Sequence, residues 1–232
     1  MGAGRAVAPE HVAVILDGNR RWAQEHGRPV VEGYRRGAQR VGDLLGWCEE
    51  RGVGHVTVWV LSLDNLRRSR EDVTALLEVI TTGLRELADL GQWRIRPIGA
   101  LDVLPSRWRD LLAGIEADTS GFEGLVVNVA IAYDGRQEIV DAVRALVSRV
   151  ADGAAGESAD EQGLARYMYT AGQPDLDLVI RTSGEQRLSG FMTWQAAYAE
   201  YYFASVCWPD FSRADFDRAL LSYARRQRRR GL

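Results

Sequence analysis

Apolar residues along the chain fall into two patterns. Runs rich in valine, isoleucine and leucine at 11–16, 56–61, 125–132 and 176–180 read as strands buried on both faces. Segment 93–98 reads as a further strand, weakened by Pro97 near its end. Between these runs the spacing changes to that of amphipathic helices. A helix over 34–50 places Ala38, Val41, Leu44, Leu45 and Cys48 on one face, with Gly52 just past its end. Val73, Leu76, Leu77, Ile80, Leu84 and Leu87 share a face of a second helix. Further helices are predicted over 105–115, with Pro105 in the first turn, over 136–150 and over 214–226.

Strands alternating with helices predict an α/β fold: a mostly parallel central sheet flanked by helices. In such sheets ligands bind beyond the carboxyl ends of the strands. The residues to inspect therefore follow Leu16, Leu61, Ala132 and Ile180. The one low-complexity stretch, 151–158, reads as a surface loop. With no repeat and no interdomain linker, residues 1–232 read as a single domain.

Composition narrows the class. The chain has 232 residues, 46% hydrophobic and 26% charged, with a formal net charge of −3. That balance fits one globular domain and excludes a disordered, collagen-like or disulfide-scaffold chain. Cys48 and Cys207 form no C-x-x-C pair and read as reduced thiols. No stretch approaches the roughly 18 consecutive apolar residues of a membrane span. Residues 1–10 lack the cationic and apolar regions of a signal peptide, so a cytoplasmic protein is expected. The slightly acidic balance argues against nucleic-acid binding. All 29 basic residues are arginine, so any phosphate site must use guanidinium forks, which grip oxyanions through two N–H groups.

Three strand ends carry candidate chemistry. Asp17-Gly18-Asn19-Arg20-Arg21-Trp22 follows the first strand. A carboxylate there can hold Mg²⁺, glycine allows close backbone approach, and the next helix offers free N–H groups to an anion. Taken alone, the hexapeptide is equally an ordinary turn entering a helix. Ser62-Leu63-Asp64-Asn65-Leu66-Arg67-Arg68 follows the second strand with a carboxamide and a basic pair at a second ligand-facing edge, though taken alone a solvated loop capping the next helix is the better reading of it. Arg181 to Phe191 follows the fifth strand and crowds Arg181, Ser183, Gly184, Arg187, Ser189 and Gly190 into one loop, which favours oxyanion binding. Glu200 sits in an aromatic segment, where a carboxylate needs a partner or a metal. Familiar alternatives do not fit. A P-loop needs lysine, no G-x-S-x-G elbow exists, and His11, His26 and His55 lack zinc spacing. An Asp-x-Asp phosphatase would need an acid at 15 or 19, where Ile15 and Asn19 stand.

Taken together, the 11–23 segment, the Ser62…Asn65…Arg68 loop, Ala132-Tyr133-Asp134-Gly135-Arg136 and the block from Asp177 to Phe191 resemble the cis-prenyltransferase family. These are the isoprenyl diphosphate synthases of the undecaprenyl diphosphate synthase type. The resemblance spans about 11–231, with the motifs in family order. It implies a homodimer that condenses isopentenyl diphosphate with an allylic diphosphate, forming a Z double bond. By position, Asp17 would bind Mg²⁺ and promote departure of the allylic diphosphate. Gly18, Asn19, Arg20, Arg21 and Trp22 would cradle that group. Asn65 would assist proton removal, and Arg68 would bind phosphate beside it. Arg181, Arg187 and Ser189 would hold the diphosphate of isopentenyl diphosphate, and Glu200 would join the metal shell. Arg229-Arg230-Gly231 looks like the family's R-x-G tail, which reaches the partner subunit's active site. A lipid product leaves room for peripheral membrane association.

The chain departs from the family pattern in places. Arg20 stands where glycine is common, and arginine is a known variant. Pro29-Val30-Val31 occupies the place of a usual basic residue, which Arg28 is positioned to replace. Tyr34 stands for a frequent histidine, Asp64-Asn65-Leu66 for Glu-Asn-Trp, and Asp134-Gly135-Arg136 for Gly-Gly-Arg. None removes a catalytic group, which disfavours a non-catalytic partner subunit; a metal-dependent phosphohydrolase using Asp17 is the third reading. Tyr34 and Leu66 resemble the short-chain actinobacterial branch making Z-farnesyl-type products. Val60, two residues before Ser62, stands where long-chain members resemble one another in having alanine. Its two extra methyls oppose entry of a growing chain. A short product such as (2Z,6E)-farnesyl diphosphate is expected, from a geranyl or dimethylallyl primer, with a decaprenyl or undecaprenyl product as the alternative.

Overall fold

All five apolar runs become strands, and a sixth joins them. The computed structural model describes residues 8–152 and 158–226. The strands are β1 (His11–Ile15), β2 (His55–Ser62), β3 (Arg94–Ile98), β4 (Val126–Tyr133), β5 (Leu178–Arg181) and β6 (Glu200–Phe203). Among the described residues they form one sheet in the order β3-β4-β2-β1-β5-β6, with every neighbouring pair parallel. The helices are α1 (Asn19–Glu25), α2 (Val30–Glu50), α3 (Arg70–Asp89), α4 (Ser106–Thr119), α5 (Gly135–Ala151), α6 (Glu161–Ala165) and α7 (Arg213–Arg225). The tail Arg229-Arg230-Gly231 and most of the 151–158 stretch lie outside the described residues.

Alternation within each strand divides the core. Val12 and Val14 of β1 join Val56 and Val58 of β2 in a cluster with α2, α3, α4 and α7. Ala13 and Ile15 face the other way, toward Tyr133, Phe191 and Met192. Apolar residues on both faces explain the unbroken runs in the sequence. Pro97 is tolerated because β3 is an edge strand that pairs only with β4.

Helix boundaries follow local chemistry. The second helix starts at Val30 rather than Tyr34, because Pro29 in extended geometry ends the preceding turn and leaves residue 30 free to begin. Pro105 takes the N-cap of α4 rather than its first turn. Ser69 caps α3 by accepting from the Asp72 amide at 3.1 Å. Ser212 and Asp215 form a reciprocal capping box on α7.

One irregularity shapes the ligand edge. Trp59 pairs with Ala130 and Leu61 with Ile131, so Val60 is an extra residue in β2. Ala132, at φ 48°, restores the count in β4 before Ser62 meets Tyr133. A bulge re-aims side chains. Here it lets Val60 and Leu61 both pack toward the α2–α3 side.

Candidate active site

The end of β1 is clamped from three directions. Thr182 Oγ1 donates to the Asp17 carbonyl at 2.7 Å, and the Trp208 amide donates to it at 2.9 Å. Gly18 then turns with φ 105°, and a Cβ there would lie 2.9 Å from Cys207 atoms. Both facts require glycine, and the turn delivers Asn19 into the first turn of α1. The Asp17 carboxylate Oδ2 accepts from Arg181 Nη2 at 2.9 Å. Its Oδ1 has no partner among the described residues.

Arg181 closes the last rung of β5, opposite Ile15. Its guanidinium is almost wholly buried. Nη1 donates to Ser189 Oγ at 3.0 Å and to the Arg187 carbonyl, while Nε is buried with no partner among the described residues. The loop holding these groups bends through left-handed backbone at Ser183, Gly184, Ser189, Gly190 and Met192. Non-glycine residues held in that region cluster at functional sites. Phe191 stacks on Trp59 at 5.0 Å, and the Gly135 amide donates to the Gly190 carbonyl at 2.9 Å. A Cβ on Gly135 would meet that carbonyl at 2.4 Å, so the glycine of Asp134-Gly135-Arg136 is what admits the loop. Beneath it, buried Glu138 accepts from Tyr133 Oη, from the Tyr169 amide at 2.8 Å and from Gln195 Nε2 at 2.9 Å. Burial pushes the Glu138 carboxyl above the usual carboxylate range.

At the end of β2, Ser62 Oγ accepts from the Asn65 amide at 3.1 Å, shaping a 3-10 turn over Asp64–Arg67. Arg68 Nη1 donates to Tyr34 Oη at 3.4 Å. Arg21 Nη1 donates to the Ser183 carbonyl at 2.9 Å, and its Nη2 lies 3.6 Å from Glu185 Oε1. These groups surround a cavity of about 420 Å³. Asp17, Gly18, Asn19, Arg20, Arg21, Asn65, Arg68, Arg181 and Ser189 all line it. Among the described residues, four arginines thus face a single carboxylate, which suits a ligand of high negative charge.

Three expected residues stand elsewhere. Trp22 Nε1 donates to Asp210 at 2.9 Å and its ring stacks on His26, so it braces α1 from outside the cavity. Arg187 points its exposed guanidinium at Glu185, while its carbonyl holds Arg181. Glu200 opens β6 opposite Leu178, whereas Phe203 is the residue opposite Arg181. Three residues of strand separate those rungs, about 10 Å. Glu200 pairs with Arg226 at 2.6 Å, and the chain does not by itself bring it to Asp17. The end of β4 does not line the cavity either; Tyr133 and Gly135 support the loop from below.

A second, apolar cavity of about 60 Å³ continues from the first between the sheet, α2 and α3, reaching Val41, Ile80, Leu84 and Leu87. Helix α2 approaches closely through glycine: a Cβ on Gly37 would lie 2.2 Å from Asn19 Oδ1. Residues of this passage, Leu76 and Leu84 among them, appear in the sequence only as one face of an amphipathic helix. Glu185, the counter-ion shared by Arg21 and Arg187, also carries no separate signal there.

The donor set suits anions. Burial, then Glu25, raises the Cys207 thiol above its ordinary value, away from thiolate. Among the described residues no three His, Cys, Asp or Glu side chains gather as a metal cage, and no helix is long and apolar enough to cross a membrane.

The family described as putative undecaprenyl diphosphate synthase matches residues 15–231. The (2Z,6E)-farnesyl diphosphate synthase of Thermobifida fusca (strain YX) is 50% identical over 97% of this chain and 91% of its own length. Isoprenyl transferase 1 of Streptomyces avermitilis is 48% identical over 96% of this chain and 89% of its own. Among solved structures, lavandulyl diphosphate synthase from Lavandula x intermedia, in complex with dimethylallyl diphosphate, superposes with a TM-score of 0.92. Its identity is 33%, covering 97% of this chain and 99% of that one.

Proposed function

This chain belongs to the undecaprenyl diphosphate synthase family, the cis-prenyltransferases, and on that premise we propose that it condenses isopentenyl diphosphate with a geranyl or dimethylallyl diphosphate into a short Z-prenyl diphosphate such as (2Z,6E)-farnesyl diphosphate. One observation carries the reading: an arginine-lined cavity of about 420 Å³ opens into an apolar passage of only about 60 Å³. The first suits diphosphates and the second a prenyl tail. An apolar cavity of about 150 Å³ holds one benzene. A passage of that size must widen for any prenyl tail; what favours a short product over the decaprenyl or undecaprenyl alternative is Val60 at its neck and the likeness to the (2Z,6E)-farnesyl diphosphate synthase of Thermobifida fusca.

In the reaction the allylic C1–O bond breaks and the electron pair leaves with the diphosphate. The double bond of isopentenyl diphosphate attacks C1, and a proton at its C2 is lost. Arg20, Arg21 and the free N–H groups opening α1 receive the departing negative charge. Arg181 and Ser189 hold the second diphosphate beside it. Asn65 stands in the same cavity, where its carboxamide orients the carbon that loses the proton. Asn19 and Leu16 lead the tail toward the apolar passage, whose lining keeps water from the developing cation.

The residues present fit Mg²⁺. This ion keeps several waters and takes one or two carboxylates plus substrate phosphates rather than a full protein cage. Asp17, which lines the arginine-lined cavity and whose Oδ1 has no partner among the described residues, would supply that carboxylate. When bound, the ion neutralises charge on the leaving diphosphate. Glu200 would join only if a second copy brought it across.

A homodimer is part of the same reading. Helix α5 exposes Val140, Val143, Val147 and Val150, each at least 43% accessible, along one side. Such a stripe calls for a partner surface. A cytoplasmic setting matches the water-soluble diphosphate substrates.

Incubating the protein with isopentenyl diphosphate and dimethylallyl, geranyl or farnesyl diphosphate tests the proposal. A short Z-prenyl diphosphate is expected. Free phosphate alone, or no conversion of any primer, rejects it. Asp17→Ala is expected to lower kcat at least about 100-fold, since metal-assisted charge stabilisation is worth several kcal/mol.

A further inference from the structure

Among the described residues, five line both the polar cavity and the apolar passage: Leu16, Asn19, Tyr34, Val60 and Leu76. Three are aliphatic, and Asn19 donates through Nδ2 to the Leu16 carbonyl at 2.9 Å and has only an acceptor, Oδ1, left without a partner among the described residues. Tyr34 differs. Its side chain is buried, yet its hydroxyl reaches the charged cradle and accepts from Arg68 Nη1 at 3.4 Å. A guanidinium can only donate, so the phenol keeps its own proton to give. Among the described residues nothing takes that proton. A diphosphate oxygen bound in the cradle can accept it.

The face of α2 that carries Tyr34 makes the ring's position matter. Residues three, four and seven further on are Gly37, Ala38 and Val41, and all line the apolar passage. The helix therefore presents one large side chain at the mouth and small ones beyond it.

We propose that Tyr34 is a specificity-determining residue that joins the two halves of the site: its hydroxyl fixes the diphosphate end together with Arg68, and its ring sets the width of the mouth through which the prenyl tail enters. The cut-off in chain length is then measured from a fixed head. The inference rests on the proposed activity and deepens it.

The test separates ring from hydroxyl. Tyr34→Phe keeps the ring: the product length is expected to stay as in the parent, while KM for the allylic diphosphate rises about tenfold and kcat changes less than about twofold, the loss of one charge-assisted hydrogen bond. Tyr34→His restores a polar partner on a smaller ring, so KM is expected to return toward the parent value. Tyr34→Ala opens the mouth, and products at least one C5 unit longer are expected by chromatography. If the alanine variant loses its thermal transition, Tyr34→Leu, which refills part of the core, is expected to lengthen products in the same direction. A parental length distribution in the folded small-residue variant, or a parental KM in Tyr34→Phe, overturns the inference. Failure of the unsubstituted protein to make any prenyl product would instead remove the activity on which it rests.

Discussion

Arg181 Nη2 lies 2.9 Å from Asp17 Oδ2, joining residues 164 positions apart at the ends of two adjacent strands. The guanidinium side chain is 6% exposed and the carboxylate side chain 37%. The planar fork lets one arginine hold Asp17 with one nitrogen and Ser189 with the other. Arg181→Lys keeps the charge but cannot span both. Its kcat/KM for isopentenyl diphosphate is expected to fall about 10- to 100-fold, the equivalent of roughly 1.5–3 kcal/mol for a charge-assisted hydrogen bond. Steady-state kinetics with varied isopentenyl diphosphate checks this, and a change under threefold would argue against the fork.

Gly37 faces two rigid neighbours. A Cβ there would come within 2.2 Å of Asn19 Oδ1 and 3.0 Å of Trp208 Cδ1. The indole cannot give way freely, because its Nε1 donates to the Gly37 carbonyl at 2.8 Å. Gly37→Ala is expected to cost about 1–3 kcal/mol of overpacking and to displace Asn19, lowering kcat/KM as well. Gly46, on the same helix, has open space around it. Gly46→Ala should raise stability by roughly 0.5–1 kcal/mol with activity unchanged. Thermal melts of the two variants read the contrast, and equal shifts would remove the packing argument.

Val60 is the bulged residue of β2 and stands where the polar cavity meets the apolar passage. Val60→Ala removes two methyl groups from that neck without touching a hydrogen bond. Longer products are expected, as a shift in distribution rather than a new fixed length. A chromatogram identical to that of the parent would count against valine as a length determinant.

Acid should weaken the fold from the opposite end of the sheet. His11 is fully buried, with Nδ1 against the Pro174 carbonyl at 2.8 Å and Nε2 against Thr57 Oγ1 at 2.8 Å. A carbonyl only accepts, so Nδ1 carries the proton and Nε2 accepts from the hydroxyl. Burial lowers the ring from 6.5 to about 4. Between those values the unfolded chain binds more protons than the native one, so stability rises with pH across that window. It is complete above about pH 6.5 and is lost as the pH falls toward 4, by about 3 kcal/mol at most. Glu138 has the opposite sign: its raised carboxyl binds protons more readily in the native state, so its contribution favours the fold as pH falls. Tm measured from pH 4 to 7 should therefore climb for the parent and climb less for His11→Gln. Parallel slopes would show that another group governs the window.

Much of this molecule is written locally. Valine-rich runs such as 11–16 and 125–132 cannot satisfy themselves except on both faces of a sheet, and the Leu76-Leu77-Ile80-Leu84 spacing has no use except as a helix face. Those patterns are set by side-chain period, which is a property of the chain alone. The candidate residues were legible for a similar reason: carboxylate, glycine and arginines crowd the strand ends where ligands bind. Strand β6 was not, because Glu200–Phe203 is four residues long, ends the sheet and takes its identity from pairing with β5.

Tertiary structure decided which of those strand ends meet. The order β3-β4-β2-β1-β5-β6 puts β1 between β2 and β5, so Asp17, Asn65 and Arg181 share one cavity while the end of β4 becomes a support. The same arrangement turns Trp22 and Arg187 outward and leaves Glu200 with Arg226. The bulge at Val60 and the seating of Gly37 on Asn19 depend on strand register and helix approach, each a contact between distant segments. Residue type fixed what each group can do. Which groups act on one ligand was fixed by long-range packing, because the energies that choose a strand's neighbours belong to pairs of segments and not to either one.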